Sequence, residues 1–196
     1  MRISLRQSRL TTDRDPRGLQ VDIAEVASPD EPLSISEVES YVQVSGDDPT
    51  LISLISAVRS QVERRTGRLL VRREVVAQWE AVFGEAPLPY PPHHEVTQVE
   101  RALSQGEWET LDVTDWHTTG LARYTVHVGR AYSTRGAKQQ GLRVTYEAGH
   151  ESLPDAMRAQ MLRDIATLYD YRHDLSAEAV AELPQPSAYD AWRVIL

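Results

Sequence analysis

The sequence lacks cysteine, and it lacks any long apolar run. Without cysteine among its 196 residues, the chain has no disulfide framework, no thiolate ligand for zinc and no cysteine nucleophile. Residues 1–18 contain no apolar core of signal-peptide length, and no run elsewhere approaches the roughly 18 apolar residues that a membrane helix needs. We therefore expect a soluble protein of a reducing compartment, with no membrane association.

Positive charge is also scarce. The formal net charge is -8, so the chain as a whole repels a polyanion, which argues against tight sequence-specific binding of DNA. The charge is uneven, because the first 17 residues combine five arginines with only Asp13 and Asp15 and carry +3, against -11 for the remainder. These five arginines are Arg2, Arg6, Arg9, Arg14 and Arg17.

Sequence motifs of catalysis are missing. There is no GxxxxGK(S/T) phosphate loop, no GxGxxG after a strand, no GxSxG elbow and no HExxH helix. No two histidines have the helical i,i+4 spacing that places two imidazoles on one metal ion. The six histidines are His93, His94, His117, His127, His150 and His173. We predict that the protein is not an enzyme and that it has no catalytic residue, no metal site and no cofactor.

Two weaker metal candidates define the enzymatic alternative. His93 and His94 are adjacent, and neighbouring residues of an extended chain point to opposite sides, which disfavours shared ligation. Asp112, Asp115 and His117 are close in sequence, but acidic residues around turns more often cap the backbone. A small metal-dependent hydrolase built on such residues is the remaining catalytic hypothesis.

Residues 1–32 are predicted to form an N-terminal arm. They mix arginine, aspartate, serine and proline with few large apolar residues, which is typical of an extended or partly disordered segment. We expect the arm to become ordered only against a partner, with its five arginines contacting another subunit or another protein. A terminus without a role is the alternative.

The clearest helix is predicted in DDPTLISLISAVRSQVERRTGRLL. Asp48 can cap it, Pro49 suits the first helical position, and Gly67 is placed to end it. Its apolar stripe consists of Leu51, Leu54, Ile55, Val58 and Val62. A shorter helix precedes it, with Ser34 or Ser36 as the cap.

The apolar period changes to two between residues 71 and 148, where short β-type runs alternate with Pro and Gly clusters. Gly149 then leads into a second long helix that begins near Pro154. The apolar stripe of this helix consists of Met157, Met161, Ile165 and Leu168. The predicted fold class is α+β, mainly an α-helical bundle with an inserted small antiparallel β-sheet.

The predicted organisation is a connector core at residues 33–183 containing the β insertion, followed by a C-terminal tail at residues 184–196. The tail is unusually apolar at its end. It either packs on the body of the protein or plugs into another surface.

The order of these elements resembles the head-tail connector, or adaptor, proteins of long-tailed bacteriophages and gene transfer agents. SISEVESYVQVSGDDPTLISLISAVRSQVERRTGRLL is similar to the opening helical pair of that family, and LPYPPHHEVTQVER to its Pro-rich strand entry. GLRVTYEAGHESLPDAMRAQMLRDIATLYDYRHD looks like its closing strand, LP joint and long helix. The resemblance covers roughly residues 33–196 and does not include the arm.

The resemblance implies a structural role in the virion neck, after synthesis in the host cytoplasm. Members of the family form a homo-oligomeric ring, usually dodecameric, that docks on the portal protein and joins the head to the next neck, stopper or tail-completion protein. DNA passes through the channel without sequence-specific binding. Contact with the portal is carried over as a hypothesis for Tyr189, Trp192, Ile195 and Leu196. A stopper that plugs the channel is the structural alternative.

Overall fold

The computed structural model describes residues 19–23, 31–44, 48–80, 82, 84–103, 106–121, 123–129, 141–172 and 186–194. The predicted arm contacts Arg2, Arg6, Arg9, Arg14 and Arg17 lie outside these ranges. The chain divides into two compact units, a β unit of residues 1–28 with 72–149 and a helical unit of residues 29–71 with 150–196.

The predicted fold class is wrong. The chain has about 36% helix and 30% strand, and its strands form two antiparallel sheets of five and three strands, so it is not mainly a helical bundle. The error arose because short strands give a much weaker sequence pattern than the two long helices do.

The helical unit contains helices α1 (Ile35–Val42), α2 (Pro49–Thr66) and α3 (Asp155–Asp170) and a C-terminal 3₁₀ helix (Pro186–Trp192). The prediction for α2 is confirmed. The Asp48 side chain accepts a hydrogen bond from the Thr50 N–H, Pro49 begins the helix, and Gly67 ends it at a φ of 66°. The Ser34 side chain caps α1 by accepting from the Glu37 N–H.

The core of the helical unit forms where the apolar stripes of the helices meet. Contacts between helices also use polar groups. The Tyr169 hydroxyl of α3 donates to the Asp48 carboxylate at 2.9 Å, and Arg158 of α3 donates to Glu37 of α1 at 2.6 and 2.8 Å. The fully buried side chains of this core include Leu33, Val38, Leu51, Val62, Met157, Met161, Ile165 and Tyr189.

In its described residues, the β unit has eight strands in two sheets. The strands are β1 (Gln20–Ile23), β2 (Arg73–Trp79), β3 (Glu85–Pro87), β4 (His93–Ala102), β5 (Trp108–Thr110), β6 (Trp116–Thr119), β7 (Thr125–Val128) and β8 (Leu142–Ala148). The five-stranded sheet has the order β1-β2-β8-β4-β5, and the three-stranded sheet has the order β3-β7-β6. In the centre of the larger sheet, Val75 lies opposite Tyr146 and Trp79 opposite Leu142, all four buried.

β1 lies inside the segment that the sequence indicates as an arm. Four residues with one buried valine, Val21, give too little periodicity to predict a strand, and the segment becomes a strand by pairing with β2. Gly149, which joins β8 to the segment before α3, has a φ of 123°, a backbone angle that favours glycine. Among the described residues, no helix is long and apolar enough to span a membrane.

Candidate interaction surface

The 3₁₀ helix is the described part of the predicted portal-contact segment. Tyr189 is 0% exposed and belongs to the core of the helical unit. Trp192 is half-buried against the same core, with its ring 6.0 Å from that of Tyr189. Ile195 and Leu196 lie outside the described residues. Of the two alternatives for the tail, the structure therefore shows packing on the body for residues 186–194.

A buried carboxylate holds Tyr189 in place. The Tyr189 hydroxyl donates to Asp164 Oδ2 at 2.5 Å, and the Gln160 side-chain amide donates to Asp164 Oδ1 at 2.7 Å. Burial raises the pKa of Asp164, and the two donated hydrogen bonds oppose that change. Burial, and then the hydrogen bond to Asp164, raise the pKa of Tyr189. The proton consequently stays on the tyrosine, which acts as the donor.

Three further contacts attach the segment to the end of α2. Val194 N–H donates to the Thr66 carbonyl at 2.7 Å, and Arg68 Nε donates to the Trp192 carbonyl at 2.8 Å. Arg65 binds the Asp190 carboxylate with two nitrogens at 2.6 and 2.8 Å. The Arg65–Asp190 pair is exposed to solvent, so its contribution to stability is below about 1 kcal/mol. Backbone pairing and the burial of Tyr189 therefore provide most of the attachment.

The outer side of the attached segment is exposed in the described part of the chain. The exposed residues of this side are Ser187, Ala188, Asp190, Ala191 and Arg193. Small and charged side chains thus surround the half-buried ring of Trp192. An aromatic ring that is partly covered and held in one orientation costs little side-chain entropy on binding, which is why such rings often anchor protein interfaces.

The two adjacent histidines of the first metal candidate have structural roles. His93 is 4% exposed, its Nε2 lies 2.8 Å from the Pro89 carbonyl, and its Nδ1 accepts from the Tyr124 N–H at 2.7 Å. This arrangement requires a neutral ring with its proton on Nε2, and burial lowers the pKa of His93 to about 4. His94 Nε2 lies 2.7 Å from the Gly149 carbonyl. Both rings hold backbone in place.

The second metal candidate is a turn. Asp112 Oδ1 accepts from the Thr114 N–H and hydroxyl, each at 3.0 Å, as expected for a carboxylate that caps a turn. His117 instead stacks on His127 of the neighbouring strand, with ring centroids 5.0 Å apart. Within the described part of the chain, no three His, Cys, Asp or Glu side chains are arranged to hold a metal ion.

Asp164 is the residue that sequence analysis missed. It lies on the same face of α3 as Met157, Met161, Ile165 and Leu168, at spacings of three and four residues. An aspartate on an apolar stripe indicates one of two things: the buried face of the helix is wrongly predicted, or the carboxylate is buried with a polar partner. An unpaired buried charge would cost too much free energy. That signal was present, but the sequence could not identify Tyr189 as the partner, since 25 residues separate the two.

Comparison with solved structures identifies the fold. A chain in the neck of an empty GTA particle, computed with C6 symmetry, matches with a TM-score of 0.65 and 18% sequence identity. A chain in the virion of a native gene transfer agent (GTA) particle matches with 0.66 and 18%, and one in the neck of a native GTA particle, computed with C12 symmetry, with 0.65 and 20%. This chain has the fold of gene transfer agent neck chains. Each match covers 89% of this chain and 96% of the other, so the likeness includes both units.

No protein-family model matches the sequence, and no curated protein does. The likeness to the GTA chains is one of fold, at 18–20% sequence identity. Packing requires only that apolar residues of suitable size occupy the core positions, so a fold tolerates this degree of change.

Proposed function

We propose that this chain is a head-tail connector, or adaptor, of a phage-like particle. Copies of the chain form a ring on the portal protein and join the head to the next neck or tail-completion protein around the DNA channel. The chain acts by binding and has no catalytic role. The observation that carries the proposal is the fold shared with GTA neck chains over 96% of their length.

The charge of the chain supports this role. A wall around a DNA conduit functions best when it does not hold the duplex, and a chain of net charge -8 repels a polyanion. Ring closure further requires head-to-tail contacts, in which each subunit presents two different surfaces. An α+β chain with two compact units offers enough distinct surface for both.

Imaging of the chain mixed with the portal protein of the same particle tests the proposal. We expect rings of this chain seated on the portal, with an open central channel, in cryo-electron micrographs. Density that closes the channel would favour the stopper alternative. A chain that stays solitary with portal and hydrolyses a substrate would refute both structural roles.

For the tail, we propose that Trp192, Ile195 and Leu196 contact the portal while Tyr189 anchors the segment in the core. A chain that ends at Val194 keeps every described contact of the segment, including the Val194–Thr66 hydrogen bond. We expect this truncation to leave the melting temperature unchanged and to weaken portal binding at least about tenfold, since apolar anchors dominate interface energies. Ser187→Ala, an exposed substitution in the same segment, is the matched control. Equal portal binding by the truncated and full chains, measured by co-sedimentation, would contradict the tail contact.

A further inference from the structure

Of the four edge strands in the two sheets that the described residues form, β6 alone contains neither proline nor a residue of fixed charge. Proteins commonly guard edge strands with proline or charged residues, which prevent unwanted pairing. β1 contains Asp22, β3 contains Glu85 and Pro87, and β5 contains Glu109. β6 has the sequence Trp-His-Thr-Thr, with neither proline nor a residue of fixed charge, and its last three residues are exposed. Its aromatic and β-branched residues favour strand pairing.

Within the described residues, no strand pairs with the outer side of the β6 backbone. Gly129 N–H donates to the Asp115 carbonyl at 3.0 Å, so these two residues form a hydrogen-bonded pair. Hydrogen-bonded and non-hydrogen-bonded pairs alternate along an antiparallel ladder. It follows that His117 and Thr119 pair their backbone groups with β7, whereas the N–H and C=O groups of Trp116 and Thr118 point outward. Among the described residues, no backbone hydrogen bond to these outward groups is found.

The chain segment that leads into this edge is acidic, and the next basic residue is Arg123, in the turn after β6. Residues 103–121, which include β5 and β6, contain four carboxylates and no lysine or arginine. Asp112 lies in the exposed turn just before β6, and Glu107 lies exposed before β5. A strand that pairs with β6 is therefore favoured if it carries positive charge.

The chain itself contains a segment with the required chemistry. Residues 1–6 read Met-Arg-Ile-Ser-Leu-Arg, in which three apolar residues alternate with polar ones and two of the polar residues are arginine. Alternation of this kind is typical of a strand with one covered face. We propose that the β6 edge binds residues 1–6 of a second copy of the chain as an added antiparallel or parallel strand.

A second copy suits this edge better than the chain's own arm. The arm leads into β1, at the opposite edge of the five-stranded sheet from β5, and the short turn after β5 leads to β6. A contact between the arm of one copy and the β6 edge of the next uses two different surfaces of each subunit, as a head-to-tail ring requires. This contact would join neighbouring subunits of the proposed ring, and its biological role rests on that proposal. The contact itself can be measured without a portal.

Disulfide cross-linking of the full chain tests the contact directly. Because the chain has no cysteine, any disulfide identifies the two introduced positions. One chain carries Ser4→Cys or Leu5→Cys, a second chain of different mass carries Thr118→Cys, and the two are mixed under mild oxidation. The matched control is Thr110→Cys, because Thr110 is also exposed and its backbone also points outward, from the edge of β5.

We expect at least about tenfold more mixed disulfide with Thr118→Cys than with Thr110→Cys, and less of it in 1 M NaCl, which screens the arginines. Equal yields at both positions would overturn the proposal. A disulfide within a single chain carrying both substitutions, without one between chains, would overturn the second copy as the occupant.

Proline at the same positions provides an independent measurement. Thr118→Pro removes only an outward N–H, so the β6–β7 ladder keeps its bonds, and Thr110→Pro does the same for β5. Sedimentation is expected to show self-association reduced at least about tenfold by Thr118→Pro and unchanged by Thr110→Pro. Rings on the portal without the cross-link would reject this contact alone. The cross-link without rings on the portal would reject the connector role alone.

Discussion

Tyr189→Ala is expected to lower the free energy of unfolding by about 4 kcal/mol, as large aromatic-to-alanine changes in a core do. Tyr189 is fully buried, so its removal leaves a cavity between the C-terminal segment and α3. The change also takes from Asp164 the nearer of its two donors, which leaves a buried carboxylate with only the Gln160 amide. Urea unfolding at pH 7 measures the loss.

Two companion variants separate the ring from its hydroxyl. Tyr189→Phe keeps the ring and removes one hydrogen bond to a buried carboxylate, which is expected to cost about 2 kcal/mol. Tyr41→Ala is the control, because Tyr41 is 47% exposed on α1 and its loss should cost little. If Tyr189→Ala were no more destabilising than Tyr41→Ala, the packing of the segment described above would be wrong.

Acidification from pH 6.5 to 4 is expected to cost about 3 kcal/mol of stability through His93 alone, since each unit of pKa difference corresponds to about 1.4 kcal/mol. In the folded chain, burial lowers the pKa of His93 to about 4, against an ordinary value of 6.5. Above pH 6.5 the ring is neutral in both states and the effect is zero. Between these values the unfolded chain binds a proton that the folded chain excludes, so stability falls with pH.

His93→Gln removes this dependence. Glutamine has no titrating ring, so the difference in unfolding free energy between the wild type and this variant should shrink by about 3 kcal/mol as the pH falls from 7 to 4. The comparison cancels the carboxylates that also titrate in this range. Parallel pH profiles for the wild type and His93→Gln would show that folding does not lower the pKa of His93.

Sequence patterns identify the helices of this protein better than its sheets. α2 is predictable because its cap, first proline, apolar stripe and terminal glycine all indicate the same boundaries. The strands are short and depend on partners distant in sequence, as in the pairing of β2 with β8 about seventy residues away. Partners of that kind determine whether a segment such as Gln20–Ile23 is a strand, and the segment's own residues do not.

The buried polar contacts show the same limit. The sequence indicates that Tyr189 lies in an apolar tail and that Asp164 lies in a helix, but their contact depends on how the chain returns to α3. The family resemblance led to the expectation of a neck protein, which local patterns alone could not give, because the resemblance rests on the order of many weak motifs. The fold shared with GTA neck chains agrees with it, while the ring, the portal and the stopper remain proposals.

The contacts at the end of α2 determine how this protein responds to pulling. Tension applied at the C-terminus is carried first by the Val194–Thr66 hydrogen bond, then by the Trp192 carbonyl on Arg68 and the Asp190–Arg65 pair, and finally by Tyr189. Because these contacts follow one another along the segment, we expect them to break one after another from the C-terminal side, with the buried Tyr189–Asp164 contact loaded last. The outer turn could then detach under load while the core of the helical unit stays folded.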